Sequence, residues 1–329
     1  MVDKEVVSPS SSKCRIFVSG ASGIVGYGIL RSLRGLGDVQ LIGSSIYPMS
    51  PANVFADEFA LAPRTTEAEY LGWLTELIKE RSIDVLIPGI EIDMEVWNAN
   101  RKMLSESGAI VLLNNERLIE LCLDKWRFYG RLVEAIPELA IKTQLSPDGF
   151  EFPMLLKPRR GFGAKGIRIV KSQTELDEVS HLVGSELMVQ EIVGDDDSEY
   201  TISGFFNSQG ELRALFQLRR HLSNFGYTEY AETVDIPEMH GIISALAKEF
   251  NPIGPTNFQF RRTADGWKLL EINPRISSAT SIKTAFGYNE CRMALDHFVY
   301  GKEIVQPELR RGRAIRYIED HITYDGADI

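Results

Sequence analysis

Short apolar runs alternate with segments of helical periodicity between residues 15 and 113. This alternation predicts a parallel β-sheet whose strands are connected by helices. We therefore predict a Rossmann-like α/β domain over residues 14–118. The runs and periodic segments are Arg15–Ser19, Gly26–Leu36, Val39–Ser44, Tyr70–Arg81, Val85–Pro88, Met94–Ser107 and Ile110–Leu113.

The pattern changes after residue 114. A pair of helices is expected first, then a compact glycine-rich lid, then longer antiparallel strands and a final helix, which together make a second, α+β domain. We assign residues 119–329 to this second domain, with a lid at about 146–192 and a C-terminal lobe at 193–329. The predicted helices are Glu116–Cys122, Asp124–Ala135, a segment near Thr174–Val183 and a segment near Asn289–Tyr300, and the lid ends with a strand at Leu187–Gln190.

The most informative polar positions lie in a predicted hairpin that ends at Asn273. A turn at Ala264–Gly266 places Gln259 opposite Glu271, and it places Asn257 opposite Asn273. The four side chains share one face because side chains alternate along a strand. Opposed Cβ atoms lie about 5 Å apart, so one carboxylate and several amide oxygens converge. Such oxygen sets suit Mg²⁺ with phosphate oxygens, although an amphipathic hairpin with a hydrated face is the plainer interpretation.

Composition is that of an ordinary soluble globular protein, with 329 residues, 44% apolar and 25% charged. A net charge of -10 argues against general binding to nucleic acids or membrane surfaces, and no apolar run is long enough to cross a membrane. The three widely spaced cysteines form no C-x-x-C pair, which favours a reducing, cytoplasmic location over a disulfide framework. Residues 1–13 are expected to be a disordered tail.

A glycine-rich turn at Gly20–Gly26 follows the first predicted strand and opens a helix. Its spacing is similar to a dinucleotide fingerprint, but the second strand ends at Gly43–Ser45 without the acidic residue that would hold an NAD ribose. An NAD-linked epimerase would also need a Tyr-x-x-x-Lys pair, which the chain lacks. The loop is therefore interpreted as close strand–helix packing or as a site for a small anionic substrate at a helix N-terminus.

A second glycine-rich loop follows the apolar strand that contains Lys157. Its glycines allow backbone N–H groups to approach an anion, and its basic residues concentrate positive charge with few acidic residues nearby to pair them. The spacing excludes a P-loop. We predict a flap that grips phosphate, with a solvated basic hairpin as the alternative. The residues concerned are Lys157, Arg159, Arg160, Gly161, Gly163, Lys165 and Gly166.

The strand that ends at Gln190-Glu191 leads through an acidic stretch to Glu199. A chain that crosses between two subdomains leaves peptide groups able to pair with an adenine edge, and Glu199, one strand later, can accept ribose hydroxyls. A solvated acidic loop explains the same residues.

These positions, taken in order, resemble the ATP-grasp superfamily, and most of all its carbamoyl-phosphate-synthetase large-subunit branch. The likeness covers about residues 14–305 and implies a pre-ATP-grasp domain followed by a two-lobed ATP-grasp domain. The residues that carry it are Lys125, Lys157 with its glycine-rich loop, Gln190, Glu191, Glu199, Asn257, Gln259 and Glu271–Arg275.

The resemblance implies a role for each position. The phosphates of ATP would meet two lysines and the glycine-rich loop, and a metal ion, Mg²⁺ or Mn²⁺, would be held by the hairpin. The implied phosphate ligands are Lys125, Lys157, Gly161, Gly163 and Lys165; the adenine contacts are Gln190, Glu191 and the Val193 backbone; the ribose contact is Glu199; the metal ligands are Gln259, Glu271 and Asn273; and the catalytic residues are Arg275, Lys157 and Arg220.

The implied activity joins a carboxylate to an amine or a thiol through an acyl phosphate, releasing ADP and phosphate. Two departures limit the likeness: Ser277-Ser278 stand where the synthetases have an Arg, with Lys283 as the next cation, and the chain has a single grasp unit, so carbamoyl phosphate synthesis is not expected. A phosphotransferase and a nucleotide-binding protein without ligation stay open, as does, less favoured, the epimerase. The expected partners are small-molecule substrates, without nucleic acid or membrane, and a homodimer is left open.

Overall fold

The structure is a computed structural model, and it describes residues 13–161, 165–223 and 226–323. The chain divides into two compact units between Leu112 and Leu113. Our predicted boundary after residue 118 falls inside the helix Glu116–Cys122 of the second unit. The tail predicted for residues 1–13 lies outside the described residues except for Lys13, and Gly163 also lies outside them.

The first unit contains a parallel sheet, as predicted. Its elements are β1 (Cys14–Val18), α1 (Ile24–Leu33), β2 (Val39–Ser45), α2 (Ala52–Phe55), β3 (Glu58–Leu61), α3 (Tyr70–Glu80), β4 (Val85–Ile87), α4 (Glu91–Ala99), α5 (Arg101–Glu106) and β5 (Ile110–Val111). Within the described residues, five strands pair in parallel in the order β3-β2-β1-β4-β5. Ile16, Phe17 and Val18 of β1 are all fully buried. Successive side chains point to opposite faces, so both faces of the sheet are covered.

The glycine turn at the start of α1 is a place of close packing. A Cβ atom on Gly26 would lie 2.7 Å from backbone atoms of Gly20 and Ala21, and a Cβ atom on Gly89 would lie 2.1 Å from the Ser19 carbonyl oxygen. Both distances are shorter than real Cβ atoms allow. The geometry therefore favours close strand–helix packing as the function of this turn.

The second unit contains two antiparallel sheets. Its elements are α6 (Glu116–Cys122), α7 (Lys125–Ala135), β6 (Thr143–Gln144), β7 (Met154–Pro158), β8 (Arg168–Val170), α8 (Gln173–Val179), β9 (Leu187–Gln190), β10 (Glu199–Phe206), β11 (Leu212–Leu222), β12 (Thr228–Thr233), α9 (Glu238–Phe250), β13 (Gly254–Thr263), β14 (Gly266–Asn273), α10 (Thr280–Ala285), α11 (Glu290–Phe298) and β15 (Arg313–Ile315). Short 3-10 turns lie at Pro137–Leu139, Ser180–Leu182 and Asp196–Ser198.

The smaller sheet of this unit lies in the segment that we predict to be a lid. In the described part of the chain its strands pair in the order β6-β9-β7-β8. Its own small core packs Leu156 and Val189 against Leu176 of α8. Strand β6 lies before residue 146, where the predicted lid begins, but it belongs to this sheet because it pairs with β9. Lys157 of β7 and Gln190 of β9 therefore lie on neighbouring strands of one sheet.

The larger sheet carries the rest of the candidate site. Over the described residues, its strands pair in the order β14-β13-β10-β11-β12-β15. On one face, Phe258 and Phe260 of β13 pack in a core with Met239 and Ile243 of α9. Helix α9 interrupts the run of strands that we predict after Glu199, so that prediction is wrong there. No helix within the described ranges is long and apolar enough to span a bilayer.

Candidate active site

The polar hairpin forms with the predicted pairing across its two strands. Gln259 lies opposite Glu271, and Asn257 lies opposite Asn273. The predicted turn, however, is one residue too long, because Gly266 already pairs with Thr263. A bulge lies between Gln259 and Phe260, where the pairing skips Leu270. This extra residue restores the predicted pairing of Gln259 with Glu271.

The bulge places a backbone carbonyl where two other elements use it. The Leu270 oxygen accepts a hydrogen bond from Lys157 Nζ at 3.3 Å. It also accepts a hydrogen bond from the hydroxyl of Tyr129 on α7, and Lys157 Nζ lies 5.6 Å from the centre of the Tyr129 ring. The hairpin, the lid sheet and α7 therefore meet beside Glu271.

Positive charges surround Glu271. Burial by itself raises the pKa of this carboxyl, but Lys157 and Lys125 together with the Asn273 hydrogen bond and Arg275 lower it further than burial raises it. The pKa of Glu271 consequently lies below its ordinary value of 4.5. Burial lowers the pKa of Lys157, although Glu271 and Glu199 act in the opposite direction.

Asn273 connects the carboxylate to the arginine that follows the hairpin. Its Nδ2 donates to Glu271 Oε1 at 2.9 Å, and its Oδ1 accepts from Arg275 Nη2 at 3.1 Å. The Arg275 backbone N–H also donates to the Asn273 carbonyl at 2.8 Å. The end of β14 is thus a preorganised turn that holds a carboxylate, an amide and a guanidinium together.

The start of α7 holds the glycine-rich loop. Lys125 Nζ donates to the Gly161 carbonyl at 2.5 Å, and the Lys125 N–H donates to the Arg159 carbonyl at 2.8 Å. Asp124 caps the helix through the N–H groups of Trp126 and Arg127, and it pairs with Arg159 at 2.9 Å. We predict that few acidic residues lie near enough to pair with the basic residues of the loop. For Arg159 this prediction is wrong, because Asp124 pairs with it.

The other described residues of the loop are exposed. Gly161 has a φ of +119°, which residues with a Cβ atom rarely adopt. Arg160 and Lys165 are both exposed. Their exposure is compatible with the predicted binding of phosphate, which stays a prediction.

The predicted adenine contacts lie where the lid strand β9 ends. Gln190 is buried and its Nε2 donates to Thr143 Oγ1 at 2.9 Å, whereas Glu191 is exposed and its N–H donates to the Lys142 carbonyl at 3.0 Å. The Val193 carbonyl accepts from Arg261 Nη1 at 3.2 Å. Backbone groups of this segment therefore lie beside the large sheet.

Glu199 is held by two arginines. Its Oε1 accepts from Arg220 Nη2 at 3.0 Å, and its Oε2 accepts from Arg261 Nη2 at 3.2 Å. Arg220 is buried and its Nη1 also lies 3.4 Å from Thr228 Oγ1. Arg220, which the resemblance implies to be catalytic, is therefore paired with Glu199, and its catalytic role stays a prediction. An ionised carboxylate has about four acceptor sites, so Glu199 retains acceptor capacity for hydroxyl groups.

Lys283, the next cation after Arg275, does not reach an open substrate site. It is fully buried, pairs with Glu290 at 2.5 Å and donates to Ser203 Oγ at 2.9 Å. Glu290 belongs to the first turn of α11 and had no sequence signal that linked it to this lysine. Arg261, by contrast, had a sequence signal. It lies two residues after Gln259, so its side chain faces the same side of β13.

The donor set of the hairpin fits a hard cation that also binds phosphate. Among the described residues, no group of three or more His, Cys, Asp and Glu side chains could hold a metal ion. The predicted ligands Gln259, Glu271 and Asn273 supply one carboxylate and two amides. Oxygen donors with a single charge suit Mg²⁺ that completes its shell with phosphate oxygens and water.

Two family models match separate parts of the chain. The family model described as "ATP-grasp in the biosynthetic pathway with Ter operon" matches residues 184–321, and the model "PylC-like, N-terminal domain" matches residues 29–112. The carbamoyl phosphate synthase large chain of Clostridium botulinum strain Langeland is 23% identical over 288 residues, which cover 78% of this chain. The chain spans 26% of the length of that relative.

Solved structures show the same fold at low identity. N5-carboxyaminoimidazole synthetase from Staphylococcus aureus in complex with ADP gives a TM-score of 0.72 at 15% identity, covering 93% of this chain and 83% of that chain. The biotin carboxylase domain of the Hydrogenobacter thermophilus 2-oxoglutarate carboxylase, solved with MgADP, ADP and bicarbonate, gives 0.70 at 17% identity, covering 92% of this chain and 74% of that chain. The chain therefore contains an ATP-grasp domain preceded by a PylC-like N-terminal domain.

Proposed function

We propose that this chain is a ligase that uses ATP and Mg²⁺ to join a small-molecule carboxylate to an amine or a thiol, with an acyl phosphate as the intermediate and ADP and phosphate as products. The observation that carries the proposal is that Lys157, Lys125 and Arg275 all lower the pKa of Glu271, while Lys157 is hydrogen-bonded to the adjacent Leu270 carbonyl and Arg275 to Asn273. A cluster of fixed cations beside a carboxylate and amide oxygens is suited to the terminal phosphates of a metal–nucleotide complex.

Three residues of the hairpin would hold the metal ion. Glu271 supplies the negative charge, and its lowered pKa keeps it ionised at neutral pH. Gln259 and Asn273 would add amide oxygens from the same face. When bound there, Mg²⁺ would neutralise charge on the phosphates of ATP.

The lysines and Arg275 would position the phosphoryl group that is transferred. Lys157 is anchored by the Leu270 carbonyl and Arg275 by Asn273, so neither cation has to be reoriented when a phosphate arrives. Lys125 is hydrogen-bonded to the Gly161 carbonyl, which a phosphate oxygen could replace as the acceptor. These contacts would direct positive charge at the γ-phosphate.

The proposed reaction has two displacements. A carboxylate oxygen of the substrate attacks the γ-phosphorus, and the bond to the β,γ-bridging oxygen breaks to release ADP. The nitrogen or sulfur of the second substrate then attacks the carbonyl carbon of the acyl phosphate, loses a proton and expels phosphate. Lys157 and Asn273 are buried, and exclusion of water from the site would protect the intermediate from hydrolysis.

The names of the structural relatives support the chemistry at the level of the reaction class. One is a synthetase solved with ADP and the other a biotin carboxylase domain solved with MgADP and bicarbonate. We propose that this chain likewise uses a magnesium–nucleotide complex and an acid substrate. The sequence features favour a cytoplasmic setting for such a reaction.

The test is product analysis with ATP, Mg²⁺ and a panel of carboxylates and amines. We expect ADP and phosphate only when both substrates are present, because the site should protect the acyl phosphate from water. Hydroxylamine in place of the amine should yield the hydroxamate of the true acid, identified by mass spectrometry. The Glu271→Gln variant is the matched control and should form neither product.

Two other outcomes would overturn the proposal. Release of AMP and pyrophosphate would indicate adenylation of the acid. A stable phosphorylated product that no amine consumes would indicate a phosphotransferase.

A further inference from the structure

Arg261 contacts both segments to which the ATP-grasp resemblance assigns the nucleoside half of ATP. Its Nη1 donates to the Val193 carbonyl and its Nη2 to Glu199 Oε2, each at 3.2 Å. Val193 follows the lid strand β9, whereas Glu199 begins β10 of the large sheet. A planar guanidinium can reach both acceptors at once because its donors diverge in a fixed fork.

The position of Arg261 is determined by the sheet and by the chain that passes over it. Arg261 lies directly opposite Glu199 in the β10–β13 pairing. Gly194 has a φ of +61°, and a Cβ atom there would lie 3.4 Å from the Arg261 Cβ and 3.2 Å from the Arg262 carbonyl oxygen. The segment that follows Val193 is therefore in close contact with β13 at this point.

Arg220 completes the arrangement from the other side. It donates to Glu199 Oε1 at 3.0 Å, so each carboxylate oxygen accepts from a different arginine. Removal of Arg261 would leave Glu199 hydrogen-bonded to Arg220 through one oxygen and free to rotate, and it would release the Val193 carbonyl. The spacing between the base contact and the ribose contact would then no longer be set.

We infer that Arg261 is a positioning residue that sets ribonucleotide specificity, by holding the Glu199 carboxylate where it accepts the ribose hydroxyls while the Val193 segment meets the base. The inference rests on the proposed function, because it requires that an adenine nucleotide binds here. It adds to that function a residue that acts on the nucleotide through Val193 and Glu199.

The experiment measures dissociation constants for ATP and 2′-deoxy-ATP with Mg²⁺ by calorimetry, together with steady-state constants for the ligation. Wild-type protein should bind ATP roughly tenfold more tightly than 2′-deoxy-ATP, the effect of one hydrogen bond to a charged group. Arg261→Gln should weaken ATP binding roughly tenfold and reduce the preference for ATP to about twofold or less. KM should rise in parallel while kcat changes by less than about threefold, since the phosphoryl site is intact.

Two further variants make the result specific. Arg261→Lys keeps the charge but cannot span both acceptors, so it should also lose most of the ribose preference. Arg262→Gln is the matched control, because its guanidinium faces Glu238 at 3.5 Å and the Trp267 ring at 4.8 Å instead of Glu199. It should bind both nucleotides as the wild type does. Melting temperatures of all variants report on folding.

The outcomes separate the inference from the proposed function. Failure of the wild type to bind either nucleotide would overturn the proposed function. Wild-type binding with an undiminished preference for ATP in the folded Arg261→Gln or Arg261→Lys proteins would overturn the inference alone. An equal loss of affinity for ATP and 2′-deoxy-ATP would do the same, because it would indicate a general structural role.

Discussion

Gln259 lies directly opposite Glu271, although the turn that joins their strands is one residue shorter than the sequence suggests. The bulge at Leu270 compensates, since it adds one residue to β14 between the turn and the pair. It also directs the Leu270 carbonyl to Lys157 Nζ. One irregularity in the ladder therefore both aligns the metal-binding face and anchors a cation of the lid beside it.

Replacing Glu271 or Asn273 by Ala should abolish most Mg²⁺-dependent ATP turnover while the protein stays folded. The loss of a preorganised electrostatic group typically reduces the rate by about 10² to 10³. Production of ADP measures the effect, and circular dichroism reports on the fold. Lys268→Ala, on the same strand but at the exposed end that contacts the Glu138 carbonyl, is the control and should retain activity. Near wild-type turnover of the Glu271 variant would exclude the hairpin as the metal site.

Titration of Glu271 should contribute to the pH dependence of the free energy of unfolding. The pKa of Glu271 in the folded protein is lowered from 4.5. Its ionised form therefore contributes stability that is complete above about pH 4.5 and is lost as the pH falls through the lowered pKa. The difference in free energy of unfolding between wild type and Glu271→Gln should therefore decrease below pH 4.5. Urea titrations at a series of pH values measure it.

Among the positive charges that lower the pKa of Glu271, Lys157 has the largest effect. In a Lys157→Met background, the effect of the Glu271→Gln substitution on the free energy of unfolding should therefore be smaller and should disappear at a higher pH. An unchanged pH profile in that background would show that Lys157 does not set the ionisation of Glu271.

ATP with Mg²⁺ should protect the glycine-rich loop from trypsin. Cleavage is expected after Arg160 and Lys165, which are exposed, and much less after Arg159, whose N–H and carbonyl are hydrogen-bonded to Glu186 and Lys125. Bound phosphates would hold the loop closed and slow both cuts. Mass spectrometry of timed digests measures the rates, with nucleotide-free buffer and AMP as controls. Cleavage that proceeds equally fast with saturating ATP would argue against a phosphate-gripping loop.

Glu290→Gln should destabilise the protein strongly, because it leaves the charge of Lys283 buried without its counter-ion. Such a loss costs about 3 to 5 kcal/mol. Glu303→Gln, which removes the exposed partner of Arg213, should change stability by about 0.5 kcal/mol or less. Chemical denaturation measures both. The double variant Lys283→Met with Glu290→Leu should recover most of the loss, since an apolar pair of similar volume replaces the ion pair.

The local sequence pattern was sufficient to predict the helices and strands that build the site. The helix Glu116–Cys122 and the strand Leu187–Gln190 have their predicted bounds, and α7 starts one residue after Asp124, which caps it. Alternation of polar and apolar residues and the chemistry of caps are properties of neighbouring residues, so they can be read without the fold.

The sequence by itself determined which side chains share a face and what ligand chemistry they offer, because strand alternation placed Gln259, Glu271 and Asn273 together as oxygen donors. Only the tertiary structure decided which distant charges meet. It paired Arg159 with Asp124, buried Lys283 against Glu290 and placed both Arg220 and Arg261 on Glu199. These pairs depend on strand order, a bulge and helix packing, which arise from contacts between residues far apart in the chain and leave no local periodic signal.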